Sequence, residues 1–310
     1  METTQDYALP AAQKSTNVRI TAMVTALRVT AALSPRLAAA ALGRLFLTVR
    51  RHRTPRRETG WLESARERRV KAWVPAGPGR AEIELPVWTW GDNDRPAVLL
   101  VHGWEGRGSQ MGAFAAPLVD AGFRVVAYDA PGHGASPGGR SSMPEMTAAV
   151  AQVGRWLGGV AGLVAHSAGA AATSAALAAD PFPAGRLVYV SPPADPGRFL
   201  QVAARMAGLA PEIARQAQAG IEGRFGVRFD DFAPGLLAPR MDLPLLALHD
   251  RGDKEVPHAE GTRVVEGWPD ARMVTTEGLG HRRILRDDGV VQAAVEFLSA
   301  PGAKAGRAAA

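Results

Sequence analysis

Ser167 stands between small residues in LVAHSAGAA, residues 163–171, after an apolar run and before an alanine-rich one. Such a serine is either a nucleophile held at a turn or a plain helix cap. A serine hydroxyl attacks a carbonyl near neutral pH only when a base within hydrogen-bond reach takes its proton, and a carboxylate fixes the tautomer of that base. Both partners are available. HDRGDKEVP, residues 249–257, carries Asp250 and Asp253, and LGHRR, residues 279–283, carries His281 in a glycine-flanked loop. His258 is a second candidate base, but it lies just past Val256 and Pro257, too near the acid in sequence to approach the serine easily. His166, beside the serine, reads as a packing or locally hydrogen-bonded ring, and His133 belongs to the turn in DAPGHGAS, residues 129–136. The chain has no cysteine, so covalent chemistry here uses oxygen or nitrogen.

Residues with these roles need rigid elements behind them. RVKAWVP (69–75) and AEIELPVWTW (81–90) alternate as an early pair of strands joined by a Pro/Gly-rich turn. Six apolar runs then suit buried parallel strands: AVLLVHG, FRVVAYD, GLVAHS, RLVYVS, LPLLALHD and RMVTTEG. Helix-length segments separate most of them. The pattern predicts an α/β fold with a mostly parallel central sheet of about eight strands and helices on both faces. In such sheets functional residues gather at the carboxyl ends of strands. The stretch between Ser191 and Leu243 is too long for a simple crossover, and carries a helix-like stripe at Phe199, Val202, Met206 and Leu209. An insertion over about 194–242 is expected there, either as a lid over the site or as a helical decoration without a gating role.

From about residue 69 to residue 300 the sequence resembles the α/β-hydrolase fold superfamily, in particular its serine esterases and lipases. AHSAG, residues 165–169, resembles that family's nucleophile elbow, Gly-x-Ser-x-Gly, with Ala165 in place of the first glycine. The resemblance implies a triad in the order Ser167, Asp253, His281. It favours Asp253 over Asp250 because the family's acid stands three residues before a Val-Pro pair, here Val256 and Pro257. VHGWEG, residues 101–106, resembles the family's His-Gly oxyanion loop, which implies the backbone N–H groups of Trp104 and Ala168 as donors to the tetrahedral oxyanion. Trp104, Phe199 and Met206 are the expected substrate-binding walls. Asp129 and Gly134 are implied as structural. Ser167 as nucleophile excludes the aspartate-based dehalogenase and epoxide hydrolase mechanisms of the superfamily.

The net charge of +6 is confined to one end. From Tyr7 to Arg57 there are ten Lys or Arg and no acidic residue, whereas everything from Glu58 onward carries 26 basic and 28 acidic residues. That distribution argues against a nucleic-acid groove in the main domain. Residues 1–60 form a basic helical extension before a hydrolase domain at 61–310. Ile20, Val24, Leu27 and Ala31 mark one helix, and Leu42, Leu45, Phe46 and Val49 a second, with Ser34 and Pro35 as its start. Arg19, Arg28, Arg36 and Arg44 interrupt every window long enough to span a membrane, and Glu2 and Asp6 fit a secretory signal poorly. Residues 18–57 therefore either lie on an anionic membrane surface as a peripheral contact or pack as a helical hairpin. The tail after Pro301, rich in alanine and glycine, is expected to be frayed.

The GRG at 106–108 is not part of a P-loop or a dinucleotide fingerprint, and the histidines do not fall at metal-ligand spacing, so no cofactor and no metal are expected. The expected activity is cleavage of a small-molecule carboxylic ester or thioester through an acyl-enzyme on Ser167, in the cytoplasm. Amide, peptide or cofactor-free peroxidase chemistry would use the same triad. A hydrolase-like scaffold without catalysis and a membrane-surface interaction protein are the readings of another class. The oligomeric state is not legible.

Overall fold

The computed structural model describes residues 16–300, with side chains from Ile20 onward. The first 15 residues and the alanine- and glycine-rich tail lie outside the described residues.

The chain opens with two helices, α1 (Thr16–Leu33) and α2 (Pro35–Phe46), followed by the short α3 (Arg56–Glu63). Ser34 separates the first two as read from the sequence: its backbone is extended, its Oγ accepts the N–H of Leu37 at 3.4 Å, and Pro35 takes the first turn. An antiparallel pair follows, β1 (Arg66–Ala76) and β2 (Gly79–Trp90), then β3 (Ala97–Val101), α4 (Ala115–Asp120), β4 (Arg124–Tyr128) and α5 (Met143–Trp156). Next come β5 (Val160–His166), α6 (Ala168–Ala179) and β6 (Ala184–Val190). The insertion holds α7 (Arg198–Met206), α8 (Pro211–Phe225) and the single-turn α9 (Pro234–Leu237). The fold closes with β7 (Leu245–Asp250), α10 (His258–Gly267), β8 (Ala271–Thr276), α11 (Gly280–Arg283) and α12 (Asp288–Ser299).

The eight strands form one sheet in the order β1-β2-β4-β3-β5-β6-β7-β8, parallel throughout from β4 to β8 and antiparallel only at β2. This is the mostly parallel eight-stranded sheet expected from the pattern, in the fold that the resemblance implies. Strand alternation splits the core in two. Leu99 and Val101 of β3 join Met146, Val150 and Ala172 on the face covered by α5 and α6, whereas Val98 and Leu100 join Leu118, Ala294 and Phe297 on the face covered by α4 and α12. Both faces are dry, which is why β3 reads as an unbroken apolar run.

A third cluster explains the extension. Leu27, Ala38, Ala39 and Leu42 of the hairpin pack on Leu200 and Ala204 of α7 and on Ile213, Ala217 and Ile221 of α8. Gly43 is buried where α2 meets Ala217 and Ile221 of α8. Arg28 donates from Nε to the Ala207 carbonyl at 2.8 Å, capping the end of α7. The apolar stripes of the extension are thus mostly covered by the insertion, while Val29, Leu33 and Leu37 remain exposed on the outer side. Among the described residues no helix is long and apolar enough to cross a membrane.

Candidate active site

The loops after β3, β5, β7 and β8 converge at one end of the sheet, and the elbow after β5 is its tightest turn. Ser167 has φ +51° and ψ −123°, a conformation rarely adopted by L-residues, which costs on the order of 1–3 kcal/mol. Its N–H is tied to the Val190 carbonyl at 2.9 Å, and its side chain makes no capping bond, so it is not serving as a helix cap. Close approach of α6 to β3 demands the glycine two residues on: a Cβ on Gly169 would lie 2.6 Å from the His102 carbonyl and 2.7 Å from that of Val101. Two residues before the serine, Ala165 is fully buried between Val101 and Tyr189 in the sheet, where a methyl group is accommodated.

His281 donates from Nδ1 to Oδ2 of Asp253 at 2.7 Å, both side chains being buried. That bond leaves Nε2 as the basic nitrogen. The other carboxylate oxygen of Asp253 accepts the N–H groups of Glu255 at 2.8 Å and Val256 at 2.9 Å. Burial alone would push this carboxyl up, but the facing His249 and His281 and the Val256 N–H outweigh it and hold Asp253 far below its usual value. Asp250 is occupied elsewhere. It accepts from Gly252 N, Leu279 N and Thr276 Oγ1, each at 2.9 Å, and so braces the loop of Asp253 against that of His281. His258 meets Thr275 Oγ1 at 2.9 Å, outside the cluster.

His166 does more than pack locally. Its Nε2 donates to the backbone carbonyl of His281 at 3.0 Å, with the two rings 4.6 Å apart, so the elbow itself positions the loop that carries His281. Burial drives His166 well below its ordinary pKa, which keeps the ring neutral.

The loop after β3 is pinned in the same manner. His102 is buried, accepts the Ala130 N–H at Nε2 (2.9 Å) and donates from Nδ1 to the Gly103 carbonyl (2.7 Å). Burial lowers its pKa to about 3. A turn closed by Gly106 N–H to the Gly103 carbonyl at 3.0 Å follows, with Glu105 at φ +55°, and it leaves the Trp104 N–H at the turn's free corner. Ala168 is the first residue of α6, so its N–H has no partner within the helix. Trp104 and Ala168 line the same cavity as Ser167 and His281. The Trp104 ring stands edge-on to His133, centroids 5.2 Å apart. Asp129 receives the N–H groups of Gly108 (2.7 Å) and Ala135 (2.6 Å), and a Cβ on Gly134 would collide with its carboxylate, which accounts for both as structural.

The cavity measures about 570 Å³. Phe199 and Val202 of α7 and Ile221 of α8 form part of its apolar wall. Met206 does not: it occupies the last turn of α7, 47% exposed and away from the cavity, because that helix turns its other apolar side, Leu200 and Ala204, to the hairpin. The extension supplies wall residues that the sequence reading missed, Phe46, Leu47, His52 and Pro55 among them. It is stitched to the site: Arg50 N–H and His52 Nε2 reach the Glu105 carboxylate at 3.3 and 3.5 Å. Glu58, buried, takes Arg107 (Nε, 2.7 Å) and Ser109 Oγ (3.0 Å). The sequence signal for that contact was faint, Glu58 being merely the first acidic residue after the basic run. Among the described residues no three His, Asp or Glu side chains gather as a metal site would require.

No curated protein matches the sequence significantly. Solved structures share the fold. A thermophilic esterase from Thermogutta terrifontis is 22% identical (TM-score 0.57, covering 74% of this chain and 98% of its own), and an esterase from Rhodococcus sp. ECU1013 is 21% identical (TM-score 0.56, 77% and 100%). A monoacylglycerol lipase from Paleococcus ferrophilus is 26% identical (TM-score 0.56, 70% and 98%). The profile of the alpha/beta hydrolase family matches residues 98–293, more than half of the chain, and takes in Ser167, Asp253 and His281, so the protein belongs to that family.

Proposed function

We propose that the protein is a serine hydrolase that cleaves carboxylic esters or thioesters with an acyl chain, through an acyl-enzyme on Ser167. The observation that carries this reading is the Asp253–His281 pair at 2.7 Å, opening on the same cavity as the strained Ser167. Ser167 Oγ attacks the carbonyl carbon as its proton passes to His281 Nε2, and the carbonyl electron pair moves onto oxygen, facing the N–H groups of Trp104 and Ala168. Collapse breaks the bond to the alcohol or thiol, which takes the proton from His281. Water then repeats the sequence on the acyl-enzyme, releasing the acid and restoring the serine. The apolar wall from Phe199, Val202, Ile221 and Phe46 supports an acyl chain in the cavity, with α7 and α8 as its cover.

Hydrolysis of a series of 4-nitrophenyl esters of increasing chain length tests this. Turnover that rises with chain length and falls to background in Ser167→Ala and His281→Ala is the expected result. Equal turnover by wild type and Ser167→Ala would refute it.

A further inference from the structure

The mouth of the cavity has a charge pattern that ester hydrolysis alone does not require. Six Lys or Arg side chains line it (Arg53, Arg57, Arg107, Lys254, Arg282 and Arg286), against three carboxylates. Each carboxylate is already engaged: Glu58 by Arg107 at 2.6 Å, Glu255 by Arg282 at 2.9 Å and Glu105 by His52 at 3.5 Å. Arg53, Arg57, Lys254 and Arg286 have no hydrogen-bond or ion-pair partner among the described residues, although they border one cavity. Like charges gathered around a low-dielectric cleft repel one another and focus a positive potential into it, which an incoming anion relieves.

Their placement says which part of a substrate would carry that anion. Lys254 follows Asp253 directly, and Arg286 lies just over one helical turn beyond His281, so two of the four stand on the loops that hold the acid and the base. The leaving group must lie beside His281, which protonates it. Arg53 and Arg57 come from the extension, anchored to the oxyanion turn through Glu105 and to Arg107 through Glu58. The opposite wall, with Phe199, Val202, Ile221 and Phe229, is apolar.

We propose that the substrate is an amphiphilic acyl ester whose leaving group bears an anionic carboxylate or phosphate, bound by Arg53, Arg57, Lys254 and Arg286. The N-terminal extension is then a part of the substrate site, contributing two of the four cations. This rests on the hydrolase reading above.

The test compares kcat/KM for decanoyl esters of ethylene glycol, of 3-hydroxypropionate and of ethylene glycol phosphate, which differ in the charge of the leaving group. The expected result at low salt is a preference of about tenfold or more for an anionic ester over the neutral one, shrinking toward parity at about 0.5 M salt. A gain with the phosphate ester alone assigns phosphate, a gain with the carboxylate ester alone assigns carboxylate, and a gain with both assigns charge without regard to shape. In Arg57→Ala/Arg286→Ala the ratio of anionic to neutral kcat/KM should fall to within about twofold of unity, while Arg80→Ala, an exposed cation at the start of β2, leaves it where it was. Equal or better use of the neutral ester by wild type overturns the proposal, as does a ratio unmoved by the double substitution. If none of the three esters is cleaved and a fluorophosphonate leaves Ser167 unmodified, the hydrolase reading falls and takes this one with it. If Ser167 is modified and the neutral ester is cleaved as well as the others, only the anionic specificity is refuted.

Discussion

Neighbouring groups hold Ser167, Asp253 and His281 in their geometry. Asp253 accepts three hydrogen bonds, and one of them fixes the proton of His281 on Nδ1. In Asp253→Asn the amide can present an N–H to that nitrogen, which places the proton on Nε2 and removes the base. The expected loss in kcat is about 10⁴-fold at neutral pH with the fold unchanged, read by ester kinetics beside circular dichroism, and a loss under tenfold would deny Asp253 its role. These three residues were legible as candidates because each follows an apolar strand and carries a local signature. His166, His102 and Asp250 were not, because their work lies in bonds to residues 115, 28 and 29 positions away, and no local pattern encodes those.

Helical periodicity told that α1, α2 and α7 exist but not what their apolar stripes meet. A stripe that covers lipid and one that covers α8 have the same spacing, and only the packing of Leu27, Ala38 and Leu42 on Leu200, Ala204 and Ile221 separates them. The same ambiguity misplaced Met206, since α7 has two apolar sides and its last turn runs past the cavity. The strands were read more securely, because burial on both faces leaves unbroken apolar runs. The hairpin contact has a measurable consequence. Leu42, 4% exposed, fills the space between α2 and α8, and Leu42→Ala should cost about 2–4 kcal/mol in urea unfolding. A cost under about 0.5 kcal/mol would mean that the extension is not packed on the insertion.

Across the whole molecule, three buried histidines tie the stability of the fold to pH. Burial lowers His102 to about 3 and His133 to about 4, and holds His166 well below its ordinary value. The unfolded chain takes up these protons from about pH 6.5 downward while the folded chain does not, so unfolding binds protons and stability falls as pH drops. Between pH 6.5 and 5 each ring removes about 2 kcal/mol. Asp129, which burial raises to about 6, acts in the opposite sense, because the folded state protonates it first. His258, lowered chiefly by burial, adds to the three rings, and Glu145, raised by burial, adds to Asp129. With histidines in the majority, the urea midpoint should be lower at pH 5 than at pH 7, and an unchanged or higher midpoint would show that these rings are not held neutral. The pinned histidines and the stitched extension serve one outcome, a strained Ser167 in a cavity with an apolar wall and a charged mouth. The most direct measurement of that outcome is reaction of the purified protein with a fluorophosphonate, read by intact mass and peptide mapping beside Ser167→Ala. One adduct per chain is expected, on Ser167 and absent from the variant. A folded wild-type protein that acquires no adduct, or acquires it equally in the variant, would contradict it.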